Sequence, residues 1–596
     1  MLLLKINKAF GLAILAFFLL TGISSAQKTN EKPYTVSWGP DVKMKGAFPD
    51  DIIKYNKDGF FISVIVPKIG SYDYSLAKFN SRLDMVLQEK IKTEESDKKA
   101  SHHNEVALVQ LGEKIYVIEK EKFSKDKNIK FFAEVIDENS VQASGNKEEI
   151  YTIDYSGNKD LDDDIVTFDV TEDNKYLVVV DNHYAAKKER PEVTIKVLDQ
   201  KLNTVWTKEV AFPYVVQRRG STKSPYYIDS QTNFYFVSKV YKDDKKNSKD
   251  VKEGELNYDY HIYIVGKDSK KLVDYPFHLK DKGISDVRID VNTKGELMAT
   301  GIYSDVLTEK NRISSPRGIF FTIIDPENKA IKSQSYKEFD AEFFTEGLKE
   351  REAKRIEKKM EKGKDIGYDF VIKDLVPRGD GGSTMIAEEF LLEVHTYTDS
   401  KGGTHTTYVY NYRNILVAKI LPTGVIEWIS IIPKRQRLGM PASGSYIVCE
   451  HPDDSYTFFY NEDRENMSAR NEGKKVLEVM DNPKKATLVY VDVAASGKVS
   501  KREEAVKLPL DDEKTKFYPR LSFVLNDEDI VMYGTEKSHD KFVKFHFTKK
   551  YDKAMPKPAE PNKSDDAGKP AVDNKGDKSQ KQPPGSKGSK VTPRKK

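Results

Sequence analysis

A two-part pattern of short apolar strands recurs along residues 50–550 of this chain. One part is a pair of apolar strands joined by a tight polar turn, as in residues 286–301. The other part is a strand, a turn and a second strand that becomes more polar, as in residues 318–331. Some strands, such as residues 60–66, are almost continuously apolar, which is typical of strands buried on both faces. The pattern predicts an all-β chain built from repeated antiparallel units.

The spacing of the repeats predicts a β-propeller. Four strands return about every 60 residues, as they do in the four-stranded blades of that fold. The sequence contains eight such repeats. Seven blades are the alternative if the second repeat is irregular, because residues 141–149 are predicted to form a loop.

The two ends of the repeat region predict how the ring closes. The last repeat has only three strands, the third of them at residues 542–547. An additional strand, residues 34–38, precedes the first repeat. We expect this N-terminal strand to complete the last blade, because closure removes the exposed sheet edges that favour aggregation.

The chain ends predict export and a flexible tail. Residues 1–26 combine Lys5 and Lys8, an apolar core and a small-residue cleavage site, which indicates a signal peptide and no membrane span in the mature chain. Residues 551–596 carry twelve Lys/Arg and six Asp/Glu among Pro, Gly and Ser, which predicts disorder.

The net charge of the whole chain, +4, does not describe its globular part. The tail contributes +6 and residues 1–26 contribute +2, so residues 27–550 have a net charge of −4. That charge disfavours nucleic acid as a partner. The single cysteine, Cys449, excludes an intrachain disulfide and is predicted to be buried.

Loop lengths suggest which face carries function. The turns within each strand pair are short, whereas the connections at residues 242–259, 304–316, 398–412 and 461–485 are long. In a four-stranded blade the long connections emerge on one face. Binding tends to concentrate on such loops, although long loops can also be tolerated insertions.

The longest insertion lies between the fifth and sixth repeats, at about residues 339–367. Residues 339–363 are predicted to form one helix with Phe344, Leu348, Ile356 and Met360 on a single stripe. The helix is expected on the long-loop face, where it caps the channel, docks a partner or packs on its own propeller.

The basic candidate binding residues lie in connections between one repeat and the next, which emerge on the same face as the long loops. Arginine and lysine side chains there can bind carboxylate or sulfate groups of a protein or polysaccharide, although charge runs also occur in solvated loops. His395 and His405 flank a loop containing Asp399. These three residues can either bind a metal or be unrelated polar residues on the surface. We predict no cofactor and no metal, and no catalytic signature such as Gly-x-Ser-x-Gly or His-Glu-x-x-His is present. The basic candidates are Arg218, Arg219, Lys434, Arg435 and Arg437.

Residues 414–428, with the Asp-Gly-Gly turn of residues 380–382 before them, resemble the repeat units of secreted bacterial β-propeller proteins. This resemblance implies the architecture and no particular activity. The sequence therefore predicts an exported, non-enzymatic propeller that binds an envelope protein or polysaccharide through its long-loop face. The alternatives are an envelope hydrolase or lyase with a site at the channel mouth, and a structural component of a surface assembly.

Overall fold

The computed structural model describes residues 32–549 apart from internal gaps. The gaps are residues 45, 69–70, 92–101, 156–165, 184–188, 216–225, 243–255, 293, 308–311, 326–327, 329, 363, 365, 367–368, 401, 468–476 and 507–514. The predicted signal peptide and basic tail lie outside the described residues. Within that range, no helix has the length and apolar character needed to cross a membrane.

The described chain is all-β and forms eight antiparallel sheets, here numbered 1 to 8 in chain order. Strand β1 (Tyr34–Trp38) precedes sheet 1. Sheet 1 contains β2 (Phe48–Asn56), β3 (Gly59–Lys68), β4 (Ser71–Asn80) and β5 (Met85–Lys90). Sheet 2 contains β6 (His102–Leu111), β7 (Lys114–Phe123), β8 (Asn128–Asp137) and β9 (Gln142–Asp154). Sheet 3 contains β10 (Val166–Val170), β11 (Leu177–Asn182), β12 (Glu192–Leu198) and β13 (Thr204–Ala211). Sheet 4 contains β14 (Tyr226–Ile228), β15 (Phe234–Tyr241), β16 (Tyr258–Val265) and β17 (Val273–Phe277).

The second half of the chain repeats this arrangement. Sheet 5 contains β18 (Lys282–Val291), β19 (Leu297–Leu307), β20 (Arg312–Asp325) and β21 (Ala330–Glu338). Sheet 6 contains β22 (Asp369–Pro377), β23 (Ser383–Thr398), β24 (Thr404–Ile420), β25 (Ile426–Ile432) and the short β26 (Gln436–Leu438). Sheet 7 contains β27 (Ile447–Glu450), β28 (Tyr456–Asp463), β29 (Ala486–Val493) and β30 (Glu503–Glu504). Sheet 8 contains β31 (Lys516–Phe517), β32 (Phe523–Val524), β33 (Asp529–Glu536), β34 (His539–Phe547) and β1. Single 3-10 turns lie at Pro441–Ser443, Arg464–Met467 and Pro519–Leu521.

The hydrophobic core lies between neighbouring sheets. Sheets 1 and 2 share a cluster around Phe61 and Val117, and each following pair of sheets shares one as well. Another cluster joins Phe60 of sheet 1 to Tyr533 of sheet 8. Each sheet is therefore buried on both faces, and the sequence of contacts returns to its start, as a closed propeller requires.

Strand β1 joins the two ends of the described chain, as predicted. It pairs antiparallel with β34, with Tyr34 opposite Phe547 and Trp38 opposite Val543. The Tyr34 ring is 4% exposed and packs edge-on against Phe545. The pairing supplies the fourth strand that the last repeat lacks.

Three expectations for connections were wrong. Residues 142–149 belong to β9, whose register shifts twice against β8, so the second repeat is irregular but four-stranded. Residues 304–316 and 398–412 are largely strand, because β19–β20 and β23–β24 extend as long hairpins. Apolar content had suggested where these strands end, but backbone pairing continues into polar residues.

The insertion between sheets 5 and 6 contains two helices instead of the predicted one. Helix α1 (Ala341–Thr345) is capped by Asp340, whose carboxylate accepts the Phe343 N–H at 2.8 Å. Helix α2 (Glu350–Glu361) follows a turn at Gly347, where φ is +78° and glycine is strongly preferred. Phe343 and Phe344 are buried against sheet 6, whereas Ile356 and Met360 of α2 are only partly buried there. The helical insertion therefore packs on its own propeller and keeps one side of α2 exposed.

Candidate functional site

A cavity of about 340 Å³ lies between helix α2 and the edge of sheet 6. Its walls come from α2, from β23 and β24, from the segment after β25 and from the connection that contains Val479. All four segments are connections or extensions on the predicted long-loop face. We call this cavity the basic cleft, because its charged lining is Arg355, Lys359, Arg413, Arg435 and Arg437 against Glu352 and Glu393.

Two arginines at the floor of the basic cleft are held in place by protein contacts. Arg435 donates to the Leu477 carbonyl and to Glu352 of α2, each at 3.1 Å. Arg413 lies 3.0 Å from a carboxylate oxygen of Glu389, which is fully buried at a bulge in β23. Burial raises the pKa of Glu389, and the charge of Arg413 opposes this shift. The guanidinium groups are therefore positioned before any ligand arrives.

The rim of the basic cleft is more accessible. The Arg437 side chain is 52% exposed and donates to Glu393 at 3.1 Å. The same carboxylate oxygen lies 3.2 Å from Nε2 of His395. Hydrogen bonding with His395, supported by Arg437, lowers the pKa of Glu393. Arg355 of α2 is exposed and has no ion pair or hydrogen bond within the described residues. These rim cations are the ones that solvent and a partner can reach.

The prediction that Lys434 is a binding residue was wrong. Lys434 was expected on an exposed loop, but its side chain is completely buried. Its Nζ lies 2.8 Å from Glu388 and 3.2 Å from the Gln436 side-chain oxygen. Burial lowers the pKa of Lys434, and Glu388 opposes this effect. Lys434 is a structural ion-pair residue and cannot contact a partner from solvent.

His395 and His405 lie beyond the basic cleft, on the outer part of the β23–β24 hairpin. This part, residues 391–398 and 404–409, is called the ribbon below. His395 contacts Glu393, whereas His405 lies 2.7 Å from Asp399 and stacks on Tyr397. The two imidazoles thus have separate carboxylate partners. Among described residues, no group of three His, Cys, Asp or Glu side chains is arranged to hold a metal.

The two faces of the ribbon carry different side chains. Cross-strand pairing places Glu393, His395 and His405 on one face together with Tyr397, which is 55% exposed; this face, called the polar face, continues into the basic cleft through Asn411 and Arg437. The other face, called the apolar face, carries Leu392, Val394 and Tyr408, which are 41%, 54% and 49% exposed, and farther out Thr396, Thr398, Thr404 and Thr406. Of the three alternating tyrosines noted in the sequence, Tyr412 is buried, Tyr410 is half-buried and Tyr408 is exposed. The apolar face therefore becomes more exposed with distance from the sheet.

The other candidates have mixed outcomes. Arg218 and Arg219 lie outside the described residues, so their role stays a prediction. Cys449 is buried as expected, and burial raises the pKa of its thiol to about 12. Sequence reasoning missed Arg355, Lys359 and Arg413. The helix pattern signalled the first two, because residues 352, 355, 356 and 359 share one helical side. Nothing local signalled Arg413, which a bulge directs toward α1 and α2.

Comparisons with known proteins do not assign the chain to a family. No family model matches the chain, and no curated protein matches it. Among solved structures, the chain is similar to the WD40 domain of SCAP from fission yeast, with a TM-score of 0.36, 10% identity, and coverage of 88% of this chain and 97% of that one. It is also similar to Porphyromonas gingivalis dipeptidyl peptidase 4, with a TM-score of 0.35, 10% identity, and coverage of 82% and 58%. An apocarotenoid oxygenase from Synechocystis gives a TM-score of 0.28, 9% identity, and coverage of 78% and 88%. With TM-scores this low, the fold assignment rests on the strand pairing and the shared clusters described above.

Proposed function

We propose that this chain is an exported, non-enzymatic propeller that binds an anionic partner of the cell envelope in the basic cleft. The observation that carries this proposal is the convergence of five cationic side chains on one cavity, whose described lining contains two opposing glutamates. Export is supported by the charged and apolar pattern of residues 1–26.

The arrangement suits recognition of carboxylate or sulfate groups. Arginine presents planar, bidentate donors to such groups, and Arg413 and Arg435 are already oriented by buried or backbone partners. Preorganised donors lose little side-chain entropy on binding. Between them, Leu348, Ile356 and Val479 provide apolar surface, so the basic cleft can also bury the carbon skeleton of a ligand.

The test is a charge reversal on the exposed rim. The full chain without residues 1–26 is titrated with fluorescent poly-glutamate and, separately, with fluorescent heparin, with neutral dextran as reference. We expect Arg355→Glu combined with Arg437→Glu to lower the affinity for the anionic probe at least about tenfold, because each charge reversal converts an attraction into a repulsion.

Lys358→Glu is the matched control. Lys358 lies on the same helix, is exposed and does not line the basic cleft, so its reversal should change affinity less than about twofold. The proposal fails if neither anionic probe binds better than dextran. It also fails if Lys358→Glu weakens binding as much as the reversals at the rim.

A further inference from the structure

The ribbon projects from sheet 6 as two strands, and neither has a further neighbouring strand within the part of the chain that the structure describes. Residues 391–398 of β23 pair only with β24 among the described strands. Residues 404–409 of β24 pair only with β23, because β25 and β26 cover residues 410–420. Isolated two-stranded hairpins are marginally stable in water, and free edges pair readily with a further strand. The described strands therefore do not supply the third strand that usually stabilises such an element.

Hydrogen-bond alternation identifies the donors on the free edge of β24. The N–H of Arg437 donates to the Met480 carbonyl at 3.0 Å, so the backbone of Arg437 faces away from β24. The neighbouring Gln436 and Leu438 therefore face Tyr412 and Tyr410 of β24. Counting outward along β24 in steps of two, the backbone groups of Thr404, Thr406 and Tyr408 face the same edge, where none of the described strands pairs with them.

The side chains beside this edge define what an added strand must carry. On the polar face, the edge carries His405 and Thr407 and leads to Arg437 and the basic cleft, where positive charge predominates. On the apolar face, the edge is bordered by Thr404, Thr406 and the exposed ring of Tyr408, and then by the buried Leu438. Successive side chains of a strand point to opposite faces. A segment that suits both faces alternates acidic with apolar residues.

We propose that the partner is a protein segment of alternating acidic and apolar residues, which adds as a third strand to the free edge of β24 at residues 404–408. This inference rests on the proposed function and specifies its partner as a peptide instead of a polysaccharide. Main-chain hydrogen bonds to the edge supply affinity, and the alternation supplies specificity. A second copy of this chain fits less well, because one face of so short a ribbon buries far less than the roughly 1,200 Å² of a stable interface.

The test uses a fluorescein-labelled eight-residue peptide that alternates Glu and Val, with its block isomer (four Glu, then four Val) as the composition control. Binding to the full chain without residues 1–26 is followed by fluorescence anisotropy. We expect the alternating peptide to bind at least about tenfold more tightly than the block isomer. Hydrogen exchange should show slower exchange of the Thr404, Thr406 and Tyr408 amides when the alternating peptide is added.

Two proline variants provide a matched pair. Thr406→Pro removes an outward-facing N–H donor from the free edge of β24 and should lower the affinity for the alternating peptide about tenfold. Thr396→Pro lies directly across the ribbon on the opposite edge and should change affinity less than about twofold, with both variants checked by circular dichroism.

Three outcomes overturn the inference while leaving the proposed function intact. They are equal binding of the alternating and block peptides, equal effects of the two prolines, and binding of heparin alone. If poly-glutamate, heparin and both peptides all fail to bind, the proposed function fails as well.

Discussion

Removing the buried cation Lys434 tests most directly whether this residue is structural or ligand-binding. Lys434→Met keeps the length of the side chain but leaves Glu388 as a buried carboxylate. Among the described residues, Glu388 then keeps two partners, the Ser445 hydroxyl at 2.7 Å and the Lys373 Nζ at 3.8 Å. Breaking a buried pair in this way costs about 3–5 kcal/mol, and the two remaining partners place our expectation near 3 kcal/mol.

The assay is equilibrium urea unfolding followed by tryptophan fluorescence. Arg437→Met is the control, because its ion pair is half-exposed and should contribute less than about 1 kcal/mol. Adding Glu388→Gln to Lys434→Met should recover about 1–2 kcal/mol, since it removes the unpaired charge. If Lys434→Met costs no more than Arg437→Met, the buried ion pair does not stabilise the fold and our reasoning is wrong.

Two further predictions concern the N-terminal strand and the pH dependence of stability. Tyr34→Ala should lower the free energy of unfolding by about 3–5 kcal/mol, because the ring is buried between sheets 7 and 8. Trp38→Ala, at a site 38% exposed on the same strand, should cost clearly less in the same urea titration, and equal costs would argue against the pairing of β1. Burial, with Asp454 and Asp374 nearby, raises the pKa of Glu450 from 4.5 to about 7. Between these values the folded state binds more protons than the unfolded state, so stability should fall as pH rises from about 4.5 to 7. Allowing for partial solvent screening, Glu450→Gln should remove about 1–2 kcal/mol of this fall between pH 5 and pH 8, and an unchanged slope would contradict the shift.

The architecture could largely be predicted from the sequence, because the same pattern of strands and turns recurs in each repeat. Apolar strands such as Tyr176 to Val180 and turns such as Gly379 to Gly382 depend on local composition, and the structure places a strand and a hairpin turn there. The missing last strand and the additional first strand, Tyr34–Trp38, predicted a pairing between distant residues because only one partner was lacking. Errors arose where hydrophobicity and backbone pairing disagree, as in the polar outer part of β23 and β24.

The candidate site was less predictable, because a side chain's exposure depends on residues far away in sequence. Lys434, Arg435 and Arg437 form one basic run in the sequence, yet the first is fully buried, the second is 14% exposed and the third is 52% exposed. Lys434 and Arg435 precede β26 and Arg437 lies within it, and what covers each side chain is decided by β24, α2 and the segment around Met480. The sequence by itself determined the repeated sheets, which follow from local periodicity, and the N-terminal pairing, because the last repeat lacks one strand and the N-terminus has one in excess. Only the tertiary structure decided which cations meet in the basic cleft and which edge of the ribbon stays open, because both depend on how non-adjacent segments pack.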